Sequence, residues 1–219
     1  MSIFYPYEKH IYTIIILHGM YQTDTSLYKI AELIRSNNSN IKIILPRAPL
    51  RTINWPTESE DNVYSWYNYY TRRDGEMQHD IINKHEFTEQ TNIIYNIIEK
   101  ELKTIDPKNI IISGVSQGGT IAFNVGLNFK FKLGGIIGIH TILMDNIIKL
   151  NNINNIPLHL FSGKLDEIYD INLQKNSLSK LINKKHKINW HIEKNLYHCQ
   201  ESNKEYEFVF DAINKIIKY

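Results

Sequence analysis

The sequence predicts an α/β fold, a mostly parallel sheet with helices packed on both faces. Two observations carry this. Short, continuous, Ile-rich runs recur along the chain, and such runs suit strands covered on both faces, as parallel sheets require. Between the runs lie stretches with apolar residues at helical spacing. Strand–helix alternation from end to end means βα units joined by right-handed crossovers.

The strands read in order. Residues 13–17 end at His18-Gly19, 41–45 at Pro46, 110–113 at Gly114, 135–139 at His140, and 158–161 at Ser162-Gly163. Residues 188–192 alternate less strictly and end before Asn195. The helices follow from their stripes: Leu27, Ile30, Ala31 and Ile34; Ile94, Ile97, Ile98 and Leu102; Ile121, Ala122, Val125 and Phe129; Val209, Ala212, Ile213 and Ile216. Ser202 with Glu205 fits a capping box opening the last helix. A weaker pattern over 173–181 predicts one more. Residues 46–80 read as one long irregular stretch carrying Trp55, Trp66 and several tyrosines, a length usually tied to function.

Composition bounds the answer. The chain has 219 residues, 42% hydrophobic and 22% charged, with a net charge of +2. One domain spanning residues 1–219 is expected, with enough apolar content for its own core. Intrinsic disorder and a broad nucleic-acid-binding face are both excluded. The single cysteine, Cys199, excludes an intrachain disulfide and a Cys-based zinc site. No apolar run approaches the ~20 residues that span a bilayer, and the run 11–17 lacks the flanks of a signal peptide. A soluble, cytoplasmic chain without a stable membrane anchor is expected. Metal-ligand spacings and phosphate-loop patterns are missing, so neither a metal nor a cofactor is expected.

In open parallel sheets, ligands bind beyond the carboxyl ends of the strands. The sharpest motif stands there. Gly114-Val115-Ser116-Gln117-Gly118 follows an apolar strand and opens an apolar-striped helix, the context of a G-x-S-x-G nucleophile elbow. The tight turn needs small flanking residues and holds the Ser116 hydroxyl at the rim. The helix N-terminus favours developing negative charge beside it. The alternative reading is a plain strand-to-helix turn with an incidental serine.

A serine hydroxyl needs a base, and the chain order on this fold is Ser, acid, His. Asp166, in the loop after a late strand, is the expected acid, with Asp170 and Asp145 as rivals. Each has an ordinary alternative as a loop or helix-cap aspartate. Of the histidines after Asp166, His186 sits among lysines and reads as a solvated patch, and His191 falls inside a strand. His198, in the loop before the last helix, is the expected base. Backbone N–H groups of Gln117 and Met20 are the expected oxyanion donors. His18 reads as a loop-packing residue and Cys199 as a small buried side chain. Tyr21, Trp66 and His140 are candidates for substrate contact; for His140 a structural role is the stronger expectation.

Together these residues resemble the phospholipase/carboxylesterase group of α/β hydrolases, which contains the acyl-protein thioesterases. Leu17-His18-Gly19-Met20, Pro46-Arg47-Ala48-Pro49, Ser65-Trp66-Tyr67, Gly114-Val115-Ser116-Gln117-Gly118-Gly119, Gly163-Lys164-Leu165-Asp166 and Tyr197-His198-Cys199-Gln200-Glu201 each resemble a motif of that group. The chain departs from the pattern where Tyr21-Gln22 replace Gly-Asp, where Asn68 replaces an acid, and where His140 replaces a common Ser. The resemblance implies an α/β-hydrolase fold with a minimal cap, formed by 46–80 and 142–156. It also implies a serine hydrolase acting on an acyl ester or thioester, such as an acylated protein, with a lysophospholipase or general short-chain esterase as the alternative; a monomer or homodimer is expected. A non-catalytic acyl-binding protein on the same fold is the alternative of another class.

Overall fold

The computed structural model describes residues 1–149, 154–183 and 186–218. The element order is β1 (Ser2–Phe4), β2 (Tyr12–Leu17), α1 (Tyr28–Asn37), β3 (Ile41–Leu45), β4 (Leu50–Asn54), β5 (Ser59–Tyr64), α2 (Lys84–Glu101), β6 (Ile110–Val115), α3 (Ser116–Asn128), β7 (Gly135–Ile139), β8 (Leu158–Gly163), α4 (Ile171–Asn183), β9 (Ile188–Glu193) and α5 (Asn203–Ile217). Among the described residues, a seven-stranded sheet has the order β1-β3-β2-β6-β7-β8-β9. Only β1 runs antiparallel to its neighbour. No helix of the described residues is long and apolar enough to cross a membrane.

The Ile-rich runs are continuous because both faces are covered. Along β2, Ile15 and Leu17 join one apolar cluster with Phe87, Ile94 and Ile98 of α2 and Ile121 and Phe123 of α3. Ile14 and Ile16 join the other, with Ala31 and Ile34 of α1 and Ala212 and Ile213 of α5. Each fully buried Ile contributes about 1.5–3 kcal/mol.

Register then fixes where the loops emerge. Leu17 of β2 pairs with Gly114 of β6, and Val115 pairs with Ile139 of β7. The segments starting at His18, Ser116 and His140 therefore leave the sheet side by side. The strand order also turns outward in opposite directions from β2 and β6, which makes this a topological switch point.

Three elements differ from expectation. Residues 46–80 are not wholly irregular, since β4 and β5 pair as an antiparallel hairpin. Each strand buries a single apolar residue, Ile53 and Val63, so no apolar run announces them. Strand β1 has three residues on the sheet edge, too few to show a period. Ser202 does cap α5, its hydroxyl accepting from the Lys204 N–H at 3.2 Å. The other half of the capping box is not made, because the Glu205 carboxylate faces His140 at 3.5 Å.

Asp24 opens the turn before α1 and is buried. It accepts from the Ser2 hydroxyl at 2.7 Å and from Arg47 Nε at 2.6 Å. Burial alone would raise its pKa, but these donors override it and hold the carboxyl at about 2. A depressed folded-state value contributes stability above the ordinary carboxylate range, lost as pH falls toward about 2. Asp24→Asn is expected to lower stability at neutral pH by about 1–2 kcal/mol. It should also flatten the acid limb of the urea-unfolding midpoint plotted against pH.

Candidate active site

Strand β6 ends at Val115, and Ser116 turns the chain into α3 with φ at +50°. A side-chain-bearing residue there is strained, and the neighbours show what holds it. A Cβ on Gly114 would lie 2.5 Å from the Gly118 carbonyl carbon. A Cβ on Gly118 would run into the carbonyl oxygens of Leu17 and His18. The elbow is thus wedged against the end of β2 with no space for side chains. The Thr141 hydroxyl donates to the Ser116 carbonyl at 2.7 Å, tying the turn to the loop after β7.

Ser116, His198 and Asp166, distant in the chain, meet at this rim. Ser116 Oγ lies 2.8 Å from His198 Nε2. His198 Nδ1 lies 2.8 and 2.9 Å from the Asp166 carboxylate oxygens. Asp166 is buried and accepts the backbone N–H groups of Ile168 and Tyr169 at 3.0 and 2.7 Å. Burial pushes its pKa up, but the facing His140 and His198 imidazoles together with the Tyr169 N–H hold it below the usual carboxylate range. An ionised Asp166 keeps the hydrogen on His198 Nδ1, which leaves Nε2 to accept from the Ser116 hydroxyl. The Tyr169 ring stands edge-on to His198 at 5.4 Å, and the His198 backbone N–H donates to the Glu167 carboxylate at 3.0 Å. The imidazole is therefore fixed from several sides.

The loop after β2 faces Ser116. A Cβ on Gly19 would crowd Gln22 Oε1 at 3.1 Å and reach van der Waals contact with the Ser116 Cβ at 3.4 Å. The Gly19 N–H donates to Gln22 Oε1 at 2.8 Å. Tyr21 follows at φ +66°, its N–H donating to the Tyr64 carbonyl at 3.0 Å. Its hydroxyl donates to Glu60 at 2.6 Å, and burial together with Glu60 pushes its pKa up to about 12. Met20 lies between these fixed residues, partly buried, and Gln117 begins the free N-terminal turn of α3. His18 is buried, accepts the Ala48 N–H on Nε2 at 3.0 Å, and donates from Nδ1 to the Gly19 carbonyl at 2.7 Å. Burial lowers its pKa, in keeping with this neutral tautomer and a loop-packing role.

The Gln117 side chain is a functional element that the sequence reading left out. Its Nε2 donates to Ser65 Oγ and the Tyr67 carbonyl, both at 2.9 Å, and its Oε1 accepts the Trp66 N–H at 2.8 Å. Trp66 Nε1 donates to the His18 carbonyl at 2.7 Å. The long loop is thus fastened to the elbow and to the loop after β2. The available signal was the pairing of the Ser-Trp-aromatic segment with a Gln directly after the nucleophile.

Other candidates fall elsewhere. Trp66 and His140 are 1% and 2% exposed, so neither presents a face to an arriving substrate, whereas Tyr21 is 57% exposed. Asp170 caps α4, accepting the Asn172 N–H at 2.7 Å. Asp145 is held by His79 and Lys180, each at 2.7 Å. His191 lies on β9, stacked on Phe161. His186 is buried rather than part of a solvated patch; Lys184 and Lys185 lie outside the described residues. Cys199 is exposed rather than buried, since the His198 loop carries it to the surface. Of the residues expected in the cap, Ile142, Leu143 and Met144 pack into the core, and 150–153 lie outside the described residues.

The sequence matches the phospholipase/carboxylesterase family over residues 1–217. The chain belongs to that family. It is accordingly an α/β hydrolase of the ester- and thioester-cleaving class. It is 30% identical to acyl-protein thioesterase 1 homolog 2 of Dictyostelium discoideum over 73% of this chain and 72% of that protein. It is 27% identical to acyl-protein thioesterase 1 of Yarrowia lipolytica, over 86% and 85%. Among solved structures, Arabidopsis thaliana SOBER1 superposes with a TM-score of 0.79 at 20% identity, covering 94% of this chain and 99% of that one. Zea mays acyl-protein thioesterase 2 superposes with a TM-score of 0.76 at 19% identity, covering 99% and 98%. At those identities the two structures show the shared fold.

Gln117→Ala leaves the buried Trp66 N–H without its acceptor and removes the amide donor to Ser65 Oγ and the Tyr67 carbonyl. It is expected to destabilise the chain by about 2–3 kcal/mol and to increase proteolytic cutting within 46–80. Urea unfolding and limited proteolysis check the two effects.

Proposed function

We propose that the chain hydrolyses acyl esters or thioesters through Ser116, His198 and Asp166 by way of an acyl-enzyme. The observation that carries this reading is the continuous relay from Ser116 Oγ through His198 to the buried Asp166, at 2.8 Å on each side of the imidazole. Ser116 Oγ attacks the acyl carbonyl carbon as its proton passes to His198 Nε2. Asp166 stabilises the imidazolium so formed and does not take the proton. The oxyanion is held by the Met20 and Gln117 N–H groups, each worth about 10²–10³ in kcat. The intermediate collapses by breaking the bond to the leaving oxygen or sulfur, which takes the proton from His198. Water then repeats the sequence on the acyl-enzyme, releasing the acid and restoring the Ser116 hydroxyl.

The substrate we propose is an acylated protein, in line with the curated relatives named acyl-protein thioesterases. The residues beside Met20, Asp166 and His198 in the chain support an open acyl-binding rim. Tyr21, Leu165 and Tyr197 are 57%, 41% and 47% exposed. An acyl chain presented on a surface suits such a rim better than a closed tunnel. A cytoplasmic setting accords with this substrate.

Ser116→Ala is expected to lower kcat/KM on a thioester substrate by about 10³-fold or more and to abolish covalent labelling by a fluorophosphonate probe. Near-normal turnover in that variant would overturn the mechanism. Activity is expected to rise between about pH 5 and pH 8, since only neutral His198 accepts the proton. Initial rates across that range check this, and a flat profile would remove His198 as the base. Matched esters and thioesters of increasing acyl length separate a protein deacylase from a lysophospholipid hydrolase.

A further inference from the structure

Behind the relay stands a second histidine that the mechanism above does not use. His140 ends β7 with φ at +45°, and its side chain is 3% exposed. Its Nδ1 lies 3.8 Å from Asp166 Oδ2, and its Nε2 lies 3.5 Å from the Glu205 carboxylate. The ring centroids of His140 and His198 are 5.8 Å apart, and Phe161 closes an apolar edge. Three titratable groups face it from the packed elements. Asp166 faces it from the loop after β8, Glu205 from the first turn of α5, and His198 from the loop before α5. A cavity of about 180 Å³ lies alongside, where Lys29 of α1 and Glu201 pair with each other at 4.0 Å.

Two protonation states fit these distances. In the neutral state, Nδ1 accepts the Gly163 N–H at 3.3 Å, and Nε2, buried without a hydrogen-bond partner, has the Glu205 carboxylate 3.5 Å away. In the cationic state, Nδ1–H gives up the Gly163 N–H and turns to Asp166 Oδ2, 3.8 Å away, while Nε2–H faces Glu205. Two carboxylates outweigh one long backbone contact in a low-dielectric site. Burial would lower the pKa of His140, but Asp166 and Glu205 reverse this and raise it to about 9.

We propose that His140 is a positioning residue, a buried imidazolium bracketed by Asp166 and Glu205 whose charge opposes protonation of His198. It thereby extends the active range toward lower pH. Asp166 serves two imidazoles, and the second offsets part of the field that would otherwise hold a proton on the base. The inference rests on the relay assigned above and adds a residue to it. It also gives a reason for the departure from the serine common at this position, and for Glu205 facing inward instead of completing its capping box.

The test has two arms. His140→Ser removes the charge, so the acidic limb of kcat/KM is expected to move up by about one pH unit, with fluorophosphonate labelling of Ser116 retained at high pH. An unmoved limb in a labelled, folded variant would overturn the proposal. The second arm needs no loss of His140. Heteronuclear imidazole spectra of the unsubstituted protein are expected to show both His140 nitrogens protonated at about pH 7.5, and Glu205→Gln should lower the pH at which His140 titrates. A neutral imidazole at that pH would overturn the proposal even if His140→Ser fails to fold. Absence of Ser116 labelling in the unsubstituted protein would instead be a failure of the relay reading, and the spectra do not depend on it.

Discussion

The close packing of the nucleophile turn against the end of β2 is the constraint on which the rest of the site depends. Gly114 and Gly118 bring two backbone segments together with no side chain between them. That contact forces Ser116 into a left-handed conformation and holds it there. It also brings Gly19 against Ser116, so the loop carrying Met20 cannot drift from the reacting atom. Strain at one residue is held by the surrounding sheet and helix, which is where such strain is stable. A relay with three members then needs only two further loops, those after β8 and β9, whose strands are paired in register.

Much of this was legible in the chain. Runs of β-branched residues without alternation fixed the parallel sheet, because only a strand covered twice is apolar at successive positions. Register supplied the rest, since strands that end together release their loops together. The elbow glycines and the order Ser116, Asp166, His198 pointed to positions that the structure brings within hydrogen-bond distance. Two illegible features share one cause: apolar periodicity carries neither. The hairpin of β4 and β5 buries one residue per strand and shows no period. The Gln117 side chain joins Ser65 and Trp66 across 51 or 52 positions through polar atoms alone. Hydropathy is blind to both. The capping box at Ser202 failed for a related reason, since a distant buried histidine drew Glu205 away from its neighbour.

Polar atoms deep in the fold are arranged as fasteners around the reacting groups. His18 spans Gly19 and Ala48, Gln117 spans the long loop, and Thr141 spans the elbow and the loop after β7. Buried polar groups of this kind are costly unless fully paired, and once paired they admit few alternative arrangements. The rim therefore draws its rigidity from hydrogen bonds, while the sheet beneath draws its own from hydrocarbon.

The Tyr21–Glu60 contact bears on how the family can diversify. Tyr21 is joined to the hairpin by its amide and by its hydroxyl, and it stands directly after Met20, the oxyanion donor we propose. The hairpin tip, residues 55–58, lies beyond both ties; Pro56, Thr57 and Glu58 are exposed there, while Trp55 stacks on Tyr69. Insertions or charge changes there can reshape what approaches the rim without disturbing the amides that do the chemistry. On the proposed reading, substrate choice and bond-breaking are written into separate stretches of backbone, and natural variation is free to edit one while the other stays still.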